Sequence, residues 1–96
     1  MIAGTISKVS REVIASATSI SPVTDLVKIT GSTAIATIVP PLGAGHHQFL
    51  MLVAVDGSVG LLTSGNIAVA VTMAQNRLVV LAYDYISDVW YPGAIS

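Results

Sequence analysis

His46-His47 is the one place where the sequence sets two imidazoles together. Imidazole binds metals and carries protons near neutral pH. Neighbours on a strand point to opposite faces, however, so an adjacent pair is poorly placed to share one ion. There is no cysteine, and a tetrahedral zinc would need further ligands from elsewhere or from other subunits. The pair reads as a solvated or interface loop, with three copies of one histidine meeting on a trimer axis as the metal-binding alternative. The carboxylates are Glu12, Asp25, Asp56, Asp84 and Asp88. Asp56 precedes Gly57 and suits a turn. Asp84 and Asp88 flank one loop, where a weak calcium site competes with simple capping of the loop backbone. A glycosidase pair needs two carboxylates across a cleft, and a chain this short offers little wall for one. No serine or threonine sits in a nucleophile-elbow pattern. Gly43-Ala44-Gly45 lacks the lysine that follows a phosphate loop. Nothing assembles a nucleophile, a base and an oxyanion donor, so the chain reads as non-enzymatic, without cofactor or metal.

Arg77 is the sole cation after Lys28 and is expected to pair with an aspartate, within the chain or across an interface. Trp90, Tyr83, Tyr85 and Tyr91 cluster near the C-terminus, with Phe49 far upstream. They either close the core or form a sugar-binding platform; tyrosine and tryptophan are also common interface anchors.

These residues stand on an unusual background. Of 96 residues, 53% are hydrophobic and 9% charged, and mean hydropathy is +0.81. Ordinary soluble domains carry about 25% charged residues. The composition excludes a disordered chain. A net charge of -1 leaves no basic footprint for nucleic acid. The cleanest apolar runs, Phe49 to Val55 and Ile67 to Ala74, fall far short of the about 20 residues of a membrane-spanning helix. Lys8 and Arg11 are followed by Glu12 and a Ser/Thr-dotted stretch, not by the apolar core of a secretion signal. One domain with so few charges cannot cover its surface, and large exposed apolar patches mark interaction sites. An obligate assembly is expected, with no partner nucleic acid or membrane.

The elements that must position these residues read as β. Residues 1–27 are expected to form an N-terminal arm, interrupted by Pro22, and residues 28–96 a β domain. Lys28 to Val39 is rich in β-branched residues, with Gly31-Ser32 marking a bulge or turn. Pro40-Pro41 ends it. Gln48 to Val55 is nearly all apolar, which suits burial on both faces. Asp56-Gly57 is a hairpin signal, expected to put Gly57 at positive φ. Val59 to Thr63 follows, then a turn at Gly65-Asn66. Ile67 to Met73 alternates large and small side chains, and Arg77 to Tyr83 follows the Gln75-Asn76 turn. The predicted fold is all-β: a small antiparallel sandwich, barrel or β-roll. Gln48–Val55 and Ile67–Met73 are expected to share a trimer core. The interface candidates are Phe49, Met51, Ile67, Val69, Met73, Arg77, Trp90 and Tyr91.

The second half, from Phe49, carries an ordered set of pieces: Asp56-Gly57, Gly65-Asn66-Ile67-Ala68, Tyr83-Asp84 and Trp90-Tyr91-Pro92. In that order they resemble modules in virion proteins of tailed bacteriophages, above all head decoration (cement) and head-fibre proteins. Ile86 and Val89 depart from the pattern, whose loop there is more polar. Residues 1–27 show no such likeness. The resemblance implies a β-rich homotrimer on the capsid exterior, without cofactor. Its partner would be the major capsid protein, with the N-terminal arm as docking element. The alternative is a trimeric tail-fibre or receptor-binding module that contacts host glycans.

Overall fold

The nearly continuous apolar run becomes the middle of the structure. In a computed structural model, which describes residues 12–95, Gln48–Ala54 forms strand β5 at the centre of a five-stranded sheet. Its flanks are β1 (Glu12–Ala15) and β3 (Leu26–Thr30) on one side. On the other lie β8 (Leu78–Asp84) and β9 (Val89–Ile95). The order is β1-β3-β5-β8-β9. Two short pairs complete the fold: β2 (Ser19–Ile20) with β4 (Thr37–Ile38), and β6 (Val59–Leu61) with β7 (Val71–Met73). The described residues contain no helix, and the all-β class is as predicted.

The pairing is mixed rather than antiparallel, which corrects the expectation of a purely antiparallel sheet. β1, β3 and β5 run parallel, and so do β2 and β4. Parallel neighbours need a crossover connection, usually a helix. Here each crossover is a two-residue strand in the second layer: the chain passes β1, β2, β3, β4, β5, alternating between layers, and winds like a solenoid. Only from β5 onward does it turn antiparallel, through β8 and β9.

Several boundaries differ from the sequence reading for the same reason. The division at 27/28 falls inside β3, and Glu12–Ala15 belongs to the main sheet; residues 1–11 of the expected arm lie outside the described residues. Lys28 to Val39 is not one strand, because Gly31 turns at φ 76° and sends the chain to the other layer. Ile67 to Met73 keeps strand pairing only at Val71–Met73, with Ile67 in a lone bridge to Trp90. Asp56-Gly57 is not a hairpin. β5 pairs with β8, not with β6, and Gly57 does not have positive φ. Asp56 instead accepts a hydrogen bond from the Gly31 amide at 2.9 Å, tying the two layer-to-layer turns together. The true tight hairpin is β8–β9, with Asp88 at φ 60°.

The core lies between the layers. From the large sheet come Val27, Ile29, Leu50, Leu52, Val79, Leu81, Tyr83 and Trp90; from the other come Ile20, Ile35, Ile38, Val59, Leu61, Ile67 and Met73. Asn66 closes the joint. Its Oδ1 accepts from the Ile38 amide at 2.8 Å, and its Nδ2 donates to the Ile38 carbonyl at 2.7 Å. The side-chain amide thus stands in for a missing strand partner. The Trp90 indole donates to the same carbonyl at 3.0 Å. Leaving such a group unpaired in the interior costs about 1–3 kcal/mol. Gly65 is required beside it, since a Cβ there would overlap the Ala36 carbonyl and the Thr37 hydroxyl.

Candidate interaction face

Residue parity along each strand decides what faces out. In β5, Gln48, Leu50, Leu52 and Ala54 are buried while Phe49, Met51 and Val53 point the other way. In β8, Val79, Leu81 and Tyr83 go inward, and Leu78, Val80, Ala82 and Asp84 go outward. Register aligns the outward residues into rows across the sheet. Phe49, Ala82 and Tyr91 form one row. Leu26, Met51 and Val80 form the next. Val13, Lys28, Val53 and Leu78 form the third. The outer face of the sheet is therefore as aliphatic and aromatic as many interiors. Phe49 is 70% exposed, Val13 58%, Leu26 47% and Tyr91 46%. Among its described residues the charges are Lys28 and Asp84, which lie toward opposite ends of the strands.

The interface candidates divide on this face. Phe49, Met51 and Tyr91 stand on it. Val69 is exposed on the segment before β7, and Arg77 is exposed in the turn before β8. Ile67, Met73 and Trp90 are corrected: they are 2%, 0% and 0% exposed and are used up by the chain's own core. Their apolar character came from the second layer, which sequence alternation alone cannot distinguish from a subunit contact. Arg77 makes no ion pair among the described residues, so of the two expected aspartate pairings, within the chain or across an interface, the first is not seen there. Val13, Leu26 and Val80 were missed as face residues. For Val80 a signal was present, since the run around it is apolar at both parities and one buried face explains only half of that; Val13 and Leu26 stand among Glu12, Asp25 and Lys28 and carry no such signal.

At the Asp84 end, the face falls into a shallow depression of about 260 Å³ lined by His47, Phe49, Ala82, Tyr83, Asp84 and Tyr91. The His47 ring is tilted against Tyr85 with centroids 4.5 Å apart, and its Nδ1 lies 3.8 Å from Asp84 Oδ1. Asp84 accepts from the Ile86 amide at 3.0 Å and the Ser87 hydroxyl at 2.8 Å, which is the loop-capping role. The Ser87 hydroxyl, the Ile86 amide and, more weakly, His47 lower its pKa against a small opposing desolvation. Asp88 accepts the Tyr83 hydroxyl hydrogen bond. That bond, then burial, then the negative charges of Asp88 and Asp84 push the Tyr83 pKa up to about 12. Tyr83 is thus a neutral structural donor, not an acid-base group at neutral pH. Among the described residues no three His, Cys, Asp or Glu side chains come together as a metal site.

Two polar residues organise the surroundings. Buried Gln48 donates to the Gly43 and His46 carbonyls at 2.9 and 3.1 Å and accepts from the Leu42 amide at 2.9 Å. It shapes the loop that carries both histidines. Glu12 accepts from the Val23 and Thr24 amides and the Thr24 hydroxyl, at 2.7 to 3.0 Å. It is a clamp across the β2–β3 turn. What the arrangement offers chemically is a wide apolar platform and one aromatic recess. No protein-family model, no characterised protein and no solved structure matches this chain.

Proposed function

We propose that the protein is a non-enzymatic virion structural protein: a homotrimer that decorates the exterior of a tailed-phage capsid and stabilises the head. The observation that carries this reading is the outer face of the five-stranded sheet. The chain completes a core without it, yet keeps Val13, Leu26, Phe49, Met51, Val53 and Val80 outside that core. A one-domain chain with 9% charged residues bears such a face most economically inside an assembly. The ordered Asp-Gly, Gly-Asn-Ile-Ala, Tyr-Asp and Trp-Tyr-Pro pieces favour the capsid setting. Multivalent attachment then adds avidity to weak single contacts.

The test is reconstitution on expanded heads of the encoding phage that lack the protein. Saturable binding in multiples of three, with a raised temperature of head rupture, is the expected outcome. Failure to bind heads at micromolar concentration would end the decoration reading.

The aromatic recess supports the second reading, a trimeric receptor-binding module. Phe49 and Tyr91 flank the small Ala82, with the Asp84 carboxylate and His47 imidazole at one end, a composition suited to a sugar ring. Binding to host cells that Tyr91→Ala abolishes, with heads unaffected, would favour it.

A further inference from the structure

We propose that the recess at the Asp84 end of the sheet binds a quaternary ammonium group of the choline type, with Phe49 and Tyr91 on either side of the cation and the Asp84 carboxylate at its end. The inference concerns this recess alone and does not depend on whether the chain decorates heads or meets host cells.

Register builds the slot. Phe49, Ala82 and Tyr91 stand opposite one another on the adjacent strands β5, β8 and β9. The two aromatic residues are exposed, and the side chain between them is a single methyl group. Two strand spacings set them about 10 Å apart. A cation seated over Ala82 is then about 5 Å from each, inside the about 6 Å within which a ring face attracts positive charge. Asp84 follows on the same face of β8 and lines the same recess.

Charge selects the sign of the ligand. Asp84 and Asp88 both act on Tyr83, which lines the recess from below. Among the described residues, Lys28 and Arg77 belong to the opposite end of the strands: Lys28 pairs with Val53, and Arg77 immediately precedes Leu78, the other partner of Val53. His47 is the one basic group in the lining, 3.8 Å from Asp84, and as a neutral imidazole it leaves the carboxylate's charge uncompensated.

Hydrogen bonding selects the kind of cation, because the polar atoms around the recess are already paired with one another. Asp84 accepts from the Ile86 amide and the Ser87 hydroxyl, and the Tyr83 hydroxyl donates to Asp88. The Gln48 amide is spent on Gly43, His46 and Leu42, and the Tyr91 hydroxyl lies 3.3 Å from that of Ser87. A sugar ring or a primary ammonium brings several O–H or N–H groups, which are costly to bury without partners. A quaternary ammonium brings none. Its methyl groups suit the apolar walls, and its charge suits the ring faces and Asp84. Aromatic cages hold methylated cations by the same physics.

The test is titration of the purified full chain with tetramethylammonium chloride, followed by NMR, with matched sodium chloride as blank. A pH of about 8 keeps imidazole neutral. Saturable shifts centred on Phe49, Ala82 and Tyr91 are expected, and choline should produce the same set. The uncharged isostere 3,3-dimethylbutanol should bind about fivefold more weakly or worse. Asp84→Asn and Tyr91→Leu should each weaken tetramethylammonium by about fivefold or more. Ala82→Leu, which fills the floor, should abolish binding. No saturable shift beyond the sodium chloride blank would overturn the site, and so would an isostere that binds as tightly as choline. A methyl glucoside that binds in place of the cation would overturn it in favour of the sugar-ring reading. Should Asp84→Asn disturb the β8–β9 hairpin, the isostere comparison on the wild type decides alone. Glycerophosphocholine against phosphatidylcholine vesicles then separates a soluble choline ester from a lipid headgroup; binding to neither would overturn the assignment to choline.

Discussion

Tyr83, Asn66 and Glu12 do structural work that their types permit but their positions do not announce. Tyr83 is the one with a pH signature. Its pKa lies at about 12 in the fold against 10.0 ordinarily, chiefly because its hydroxyl donates to Asp88. The native state therefore holds its proton where the unfolded chain has released it. That stabilisation is complete below about pH 10 and is lost as the pH rises toward 12. Tyr83→Phe should melt lower than the wild type at about pH 8, and the gap should narrow as the pH passes about 10. A gap that stays constant across this range would contradict the assignment. None of this was legible upstream: Asp88 was read as a loop cap or calcium ligand, and its use depends on the turn of the β8–β9 hairpin. Glu12 was likewise placed only as a carboxylate of the expected arm, whereas its partners at Val23 and Thr24 are brought to it by the winding of the chain.

At the scale of elements, the apolar runs at Gln48–Val55 and Arg77–Tyr83 were correctly located as strands, since each is a short apolar, β-branched stretch bounded by turn residues. Turn chemistry was less decisive. Asp-Gly favours a hairpin only where the following strand returns beside the first, and here the chain leaves for the second layer. The strained turn is at Gly31, where φ is 76° and a Cβ would sit 2.8 Å from Ser16 Oγ. Gly57 has open space at its Cβ position and no positive φ. Gly31→Val should therefore cost about 1–3 kcal/mol. Gly57→Val should stay within about 1 kcal/mol of the wild type. Chemical denaturation of the two variants side by side checks this; equal losses would mean that the turns are misassigned.

For the whole molecule, the winding of the N-terminal half joins the expected arm to the domain. Removing residues 1–21 would take away β1, β2 and the Glu12 clamp, and would leave β3 as the sheet edge. It would also uncover Ile20 and its contacts in the core. Such a truncation should lose about 2–5 kcal/mol from the Ile20 side chain and its cavity alone. It should unfold well below the full chain in a thermal melt. A truncated chain with an unchanged melting temperature would restore the arm as a separate unit.

Composition and the apolar, β-branched runs between turn residues by themselves determined the all-β class and the central strands, because a short chain must hide its apolar side chains in the segments that turns leave free. Strand direction, the partner of each turn and the division between core and exposed face were decided only by the tertiary structure. Period two is the same for parallel and antiparallel pairs. An apolar residue also looks the same whether a second layer of its own chain covers it, as with Trp90, or nothing in the chain does, as with Phe49.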